Sequence, residues 1–156
     1  MRVQEEFVSI TTTPTVVEQY LTVPTLMDGW RSPLTVLEPL EGELMALGSM
    51  HRLRLKSLLL AGATYTVTER DSSHILMTIT GPWQGTDLWR WWVDGARVVV
   101  QNRVDYEITD PSLRVFVYGF GFLFAQLDMR IQLERLRQQI EGPNVSSRPL
   151  QRVEIE

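Results

Sequence analysis

The sequence has no cysteine, one lysine, two histidines and no hydrophobic run long enough to cross a bilayer as a helix. Without cysteine there is no disulfide scaffold, no thiolate zinc site and no cysteine nucleophile. His51 and His74 alone leave little for a multi-histidine metal centre. The longest uncharged apolar stretch, Val115 to Leu127, is 13 residues, against the ~20 that a transmembrane helix needs. Basic residues number 15 against 19 acidic, a net charge of −4. Nucleic-acid binding normally leaves a clearly basic footprint, so no nucleic-acid partner is expected. No GxSxG elbow, HExxH pair, phosphate loop or dinucleotide fingerprint is present. Gly119-Phe120-Gly121 lacks a third glycine and falls in a helical stretch. No cofactor and no metal are expected. The opening Met1–Glu6 is charged and lacks the apolar run of a signal peptide. The expectation is a cytoplasmic protein.

What is present is one domain's worth of chain, 156 residues with 44% hydrophobic, enough to bury roughly 70% of its unfolded surface. Residues 2–10 alternate as a strand. Thr13 and Pro14 open a short helix to Thr22, with Thr15 and Glu18 resembling a capping box. Pro24 ends it, and a further helical turn runs through Leu26, Met27 and Asp28 before Gly29-Trp30. Strands then follow at Leu34–Leu40, Ser49–Lys56, Ala63–Arg70, His74–Trp83, Thr86–Val93 and Arg97–Ile108. Turns are read at Glu41-Gly42, Asp71-Ser72-Ser73, Gln84-Gly85 and Asp94-Gly95, the last a strong hairpin signal. Such short connections make neighbouring strands antiparallel. Asp110-Pro111 caps a long helix that stops at Gly142-Pro143. On it Arg130/Glu134 and Arg137/Glu141 stand four apart and can pair. Residues 143–156 read as a polar tail, with Leu150–Glu156 able to add as a strand.

The order strand, two short helices, six antiparallel strands and a long C-terminal helix resembles the helix-grip fold, an α+β architecture. The local wording agrees: Phe7-Val8-Ser9-Ile10-Thr11-Thr12-Thr13-Pro14 for the opening strand and helix, then Trp30. Leu47-Gly48-Ser49-Met50 and Tyr65-Thr66-Val67-Thr68-Glu69 fit the third and fourth strands. Over about residues 3–142 the chain is similar to the START-like (SRPBCC) superfamily, which includes polyketide cyclases, dehydrases, lipid carriers and coenzyme Q-binding proteins. The resemblance implies one domain over 1–142, a curved sheet wrapped around the last helix, and a hydrophobic cavity between them. One fold hosts many functions, so it implies a pocket more firmly than an activity.

Period-two alternation assigns the faces. Val98, Val100, Asn102, Val104, Tyr106 and Ile108 point inward from the last strand. Trp89, Trp91 and Val93 do so from the one before. Ile75, Met77, Ile79, Tyr65, Val67, His51, Leu53 and Leu55 follow from the remaining strands. A cavity lined by Tyr65, Met77, Trp89, Trp91, Val100 and Tyr106 is expected, with His51 and Asn102 as its polar handles. Greasy walls with a few placed polar groups are how small-molecule pockets are built. The same residues serve equally as core, with His51 and Asn102 simply hydrogen-bonded inside it. Glu69 shares the inward parity of Tyr65 and Val67 but sits at the rim, and His74 is expected in solvent.

Two functions are weighed. The first is binding or carriage of a hydrophobic molecule such as a lipid, isoprenoid quinone or polyketide-like compound. The second is a cyclase or dehydratase in the same pocket, using His51 as general base with Asn102 or Tyr106 donating to an enolate oxygen. Contact between His51 and Asn102 at an open cavity would favour the second. The C-terminal helix carries one apolar stripe, Val115, Tyr118, Phe122, Ala125, Met129, Leu133, Leu136 and Ile140, expected against the sheet. A second stripe, including Leu113, Phe116, Val117, Phe120 and Phe124, needs another cover. It is read as covered by the short N-terminal helices or a loop, or accommodated by a bend at Gly119 and Gly121, or as a surface for a homodimer or peripheral membrane contact through Phe116, Phe120 and Phe124.

Overall fold

In the computed structural model, which describes residues 1–56 and 62–142, the chain opens with β1 (Arg2–Ile10), α1 (Pro14–Thr22) and α2 (Pro24–Met27). Six strands follow: β2 (Thr35–Glu41), β3 (Met50–Leu55), β4 (Ala63–Arg70), β5 (His74–Thr80), β6 (Trp83–Asp94) and β7 (Arg97–Ile108). The last helical segment comprises α3 (Pro111–Phe116), a π-helical turn (Val117–Gly121) and α4 (Phe122–Glu141). The tail from residue 143, with its additional strand, lies outside the described residues. The strands form one antiparallel sheet in the order β1-β7-β6-β5-β4-β3-β2, so β1 returns to close beside β7. This is the helix-grip arrangement.

The alternation of apolar side chains puts one face of the sheet inside. Ile75, Val67, Trp91, Val98 and Val100 are buried there against Val17 and Leu21 of α1 and Leu133 and Leu136 of α4. Longer arms then tie the helix to the sheet. The Arg130/Glu134 and Arg137/Glu141 pairs do not form at four-residue spacing. Arg130 instead reaches Glu6 of β1 at 2.9 Å, while Glu141 accepts from the Thr11 backbone at 2.8 Å and stands 3.4 Å from Arg97. Arg137 pairs with Glu134 one turn back. Contacts across elements win because α4 lies directly over β1.

Several local readings are corrected. The capping box at α1 is not made: Thr13 is the N-cap without a side-chain bond, and Glu18 turns to Arg70 at 3.7 Å. The turn read at Gln84-Gly85 lies at Gly81-Pro82, between β5 and β6, and Gly85 sits within β6 opposite Tyr106. The register also slips between Val67 and Glu69. That irregularity sends Glu69 outward, where it meets His74 at 3.2 Å, with Asp71 on the other ring nitrogen at 3.0 Å. Val93, read as inward, is exposed although its β7 partner Val98 is buried, because β6 there runs past the start of β5, whose pairing ends at His74 opposite Arg90.

The C-terminal helix keeps the expected core stripe only in its later half, where Met129, Leu133 and Leu136 are buried. Before the π-turn the faces exchange. Leu113 is buried and Val117 packs beside it, whereas Val115 is 79% exposed and Tyr118 lies at the surface under the Arg2 guanidinium. A π-turn adds a residue to the helical repeat, so the apolar periodicity on either side of it is out of phase. Asp110 starts this segment as an N-cap, accepting from the Leu113 backbone at 2.8 Å. Asp110→Ala should lower stability by about 1 kcal/mol, read as a shift of the urea midpoint with unchanged slope.

Candidate functional site: an internal cavity with a polar wall

Between the sheet, α2 and the C-terminal helices lies a cavity of about 450 Å³, open on one side. Its size falls within the ~300–1,000 Å³ usual for small-molecule sites. The sheet register explains its shape. His51, Tyr65, Ile79, Gly85 and Tyr106 are successive partners across β3 to β7. Gly85 has no side chain, so β6 contributes none to this row between Ile79 and Tyr106. The next row brings Met77, Asp87 and Val104 together, and the row after it Ile75, Trp89 and Asn102. One row further, Trp91 stands opposite Val100.

That row order decides where the expected residues fall. His51, Tyr65, Met77, Trp89, Asn102 and Tyr106 all line the cavity. Trp91 and Val100 do not: both are fully buried in the core, where α1 and α4 close over the sheet. Trp30, buried after α2, donates its indole N–H to the Tyr20 carbonyl at 2.8 Å and packs against Trp89 with ring centroids 5.3 Å apart. Phe116 and Phe124 line the open side beside Leu34, half or more exposed. The Phe120 side chain lies outside the described residues.

His51 and Asn102 stand on separate parts of the wall. The His51 ring stacks on Tyr65, centroids 5.4 Å apart, and its buried Nδ1 has no hydrogen-bond partner among the described residues. Burial first, and the Arg31 charge second, hold its pKa down to about 4. At neutral pH it is an uncharged hydrogen-bonding group and a weak base. The Tyr65 hydroxyl accepts from Trp83 Nε1 at 3.2 Å, and burial raises its pKa. The Tyr106 hydroxyl is buried and, among the described residues, unpartnered.

Asn102 serves a carboxylate that the sequence reading missed. Its amide donates to Asp87 Oδ1 at 2.7 Å and to the Leu88 carbonyl at 3.3 Å. Burial pushes the Asp87 pKa up to about 7, against the opposing hydrogen bond from Asn102. A carboxyl that gains and loses its proton near neutrality inside an apolar cavity can donate to or accept from a ligand. Arg31, in the segment after α2, also lines the cavity and also went unread. Burial lowers its pKa, with Asp28 nearby opposing that effect. Neither residue belongs to a motif; Asp87 alone carried a signal, its shared parity with Trp89 and Trp91.

Fold and site together define a helix-grip protein with an internal, mostly apolar cavity and a small set of placed polar groups. Residues 1–141 match the family described as polyketide cyclase / dehydrase and lipid transport, and the chain belongs to that family. Among curated proteins, none matches the sequence. Solved structures share the fold at low identity. KanY has a TM-score of 0.71 at 16% identity, covering 90% of this chain and 98% of its own. The Aha1 dimer from Colwellia psychrerythraea has a TM-score of 0.66 at 14% identity, covering 92% and 99%. DynU16, described as a putative protein in the dynemicin biosynthetic locus, has a TM-score of 0.64 at 14% identity, covering 90% of this chain and 47% of its own. Among the described residues no helix is long and apolar enough to cross a membrane.

Proposed function

We propose that this protein binds or carries a hydrophobic small molecule, of lipid, isoprenoid quinone or polyketide-like character, in the cavity between sheet and helix. The observation that carries the reading is an open cavity of about 450 Å³ whose walls are aromatic and aliphatic. Its lining includes a few polar side chains, and among them the Tyr106 hydroxyl and His51 Nδ1 are buried without a hydrogen-bond partner among the described residues. Buried polar groups in folded proteins are nearly always satisfied, so orphaned ones in the wall of a cavity point to a partner gained when the wall adjusts around a ligand. His51, Tyr65, Met77, Trp89, Asn102 and Tyr106 are the proposed contacts. Leu34, Phe116 and Phe124 form the apolar rim through which a ligand passes. A homodimer or a peripheral membrane contact would use this rim, and the Aha1 neighbour is itself described as a dimer.

A cyclase- or dehydratase-type activity is the second reading, and one observation favours it: a buried carboxyl, Asp87, with a pKa of about 7. It displaces His51 from the role of general base, because a pKa of about 4 leaves that ring with little pull on a proton. His51 and Asn102 do not meet, since Asn102 is committed to Asp87 and Leu88. That separation favours binding over catalysis.

Native mass spectrometry of the purified protein should show a co-purified apolar ligand. Titration with fatty acids, quinones and aromatic polyketones should change tryptophan emission saturably, because Trp30, Trp83 and Trp89 all line the cavity. Silence across that panel, with no bound mass, would overturn the binding reading. Turnover of a polyketone that disappears in Asp87→Asn would move the conclusion to the enzyme.

A further inference from the structure

We propose that Arg31, with His51 and Tyr65, forms an anion-binding end of the cavity, so that the ligand is an amphipathic carboxylic acid with its apolar body toward Met77 and Trp89. The inference rests on the cavity being a ligand site and adds which end of the ligand goes where. Arg31 lines the cavity among apolar side chains. Among the described residues no carboxylate lies within 4.0 Å of its guanidinium, whereas Arg103 and Arg130 each pair with an acid. The nearby acids are otherwise placed. Asp28 is exposed, and Asp128 on α4 already accepts from Ser32 Oγ at 2.8 Å and Gln132 Nε2 at 2.9 Å.

A half-buried guanidinium with no acid in direct contact is costly, and a carboxylate that meets it in a fork of two hydrogen bonds offsets that cost. His51 is the independent second observation. Its ring is 2% exposed and its Nδ1 is unpartnered among the described residues, on a wall within electrostatic reach of Arg31. Because burial keeps the ring neutral at physiological pH, it can present an N–H to a carboxylate without adding a second charge. Tyr65, stacked on it and accepting from Trp83, keeps its own hydroxyl proton free to donate. Tyr65 also feels the charge of both Arg31 and Asp87. Of the two carboxyls that line the cavity among the described residues, Asp87 is held by Asn102 and Asp128 by Ser32 and Gln132, which leaves Arg31 as the unpaired charge toward which an acid turns its head.

The test compares decanoate with decanol near pH 6, where the acid is ionised and Asp87, with its pKa of about 7, is mostly neutral, by displacement of the neutral probe N-phenyl-1-naphthylamine. Decanoate should bind about tenfold or more tightly than decanol. Arg31→Gln should collapse that ratio to about one, and Arg31→Lys should restore part of it. Decylamine, which repeats the Arg31 charge, should bind most weakly of the three; this comparison needs no variant. Equal binding of decanoate and decanol by the wild type, or a preference that survives in Arg31→Gln, overturns the anion-binding end while leaving the cavity reading intact. Failure of the probe and all three chains to bind overturns both.

Discussion

Gly85→Ala should destabilise the protein by more than about 3 kcal/mol, with loss of soluble folded protein as the extreme outcome. Gly85 has φ +149°, and a Cβ there would stand 1.9 Å from the Asp105 carbonyl oxygen and 2.9 Å from the Tyr106 Cα. Those are backbone atoms of the partner strand, so no side-chain rotation relieves the clash. β7 would have to move, and with it Asn102 and Tyr106. Glycine inside a strand commonly marks such a close approach. Gly95→Ala is the matched control, since Gly95 also has positive φ (60°) but nothing within 4 Å of the added carbon. It should lose only the ~1–2 kcal/mol of the left-handed backbone conformation. Urea midpoints of the two variants decide the matter: equal losses would mean that the contact with β7 is not what Gly85 provides.

Asp87→Asn should instead make the protein more stable at pH 8, by about 2–4 kcal/mol, with the gain vanishing near pH 4. The native carboxyl takes up its proton near pH 7, and the unfolded one near 3.9. Over that window the native state binds more protons, so stability falls as pH rises and then levels off. An asparagine stays neutral and can turn its amide oxygen to Asn102, so it escapes the loss. His51 acts in the opposite sense. Its native pKa near 4 lies below its unfolded value, so its contribution grows as pH rises from about 4 to 6.5 and is then constant. In the wild type the two slopes offset each other through the acid range. In Asp87→Asn the His51 slope stands alone, and stability should climb by about 3 kcal/mol between pH 4 and 6.5. A variant less stable than wild type at both pH 5 and pH 8 would show that the Asp87 charge is satisfied in the native state.

The strand faces were legible because period-two alternation survives wherever one side of a sheet is buried. His51, Tyr65, Met77, Asn102 and Tyr106 were placed in the interior on that ground alone. Trp91 shares the parity of Trp89 but stands one row deeper, and depth along a strand is set by where α1 and α4 cross it, which alternation does not encode. Asp87 shares that parity too. A turn read at Gln84-Gly85 left it at the ragged start of a strand, since a glycine that admits a neighbouring backbone looks locally like one that makes a turn. Arg31 lies in an aperiodic segment, so only tertiary packing gives its side chain a direction. The slip at Val67/Glu69 and the π-turn each alter phase by a residue, and neither has a sequence signature of its own.

The π-turn divides the last helix into two parts whose orientations are set separately. Successive residues of an α-helix are rotated by about 100°, so the surplus residue between Val117 and Gly121 acts as a phase step. Upstream of it, Leu113 anchors the segment in a small cluster with Tyr106 and Ile108; downstream, Leu133 and Leu136 belong to the main core. The rim residue Phe116 is therefore carried on a different footing from the side chains that hold the helix to the sheet. Substitution upstream of the step can reshape the opening without repacking the core, so ligand choice and fold stability can diverge along one continuous helix.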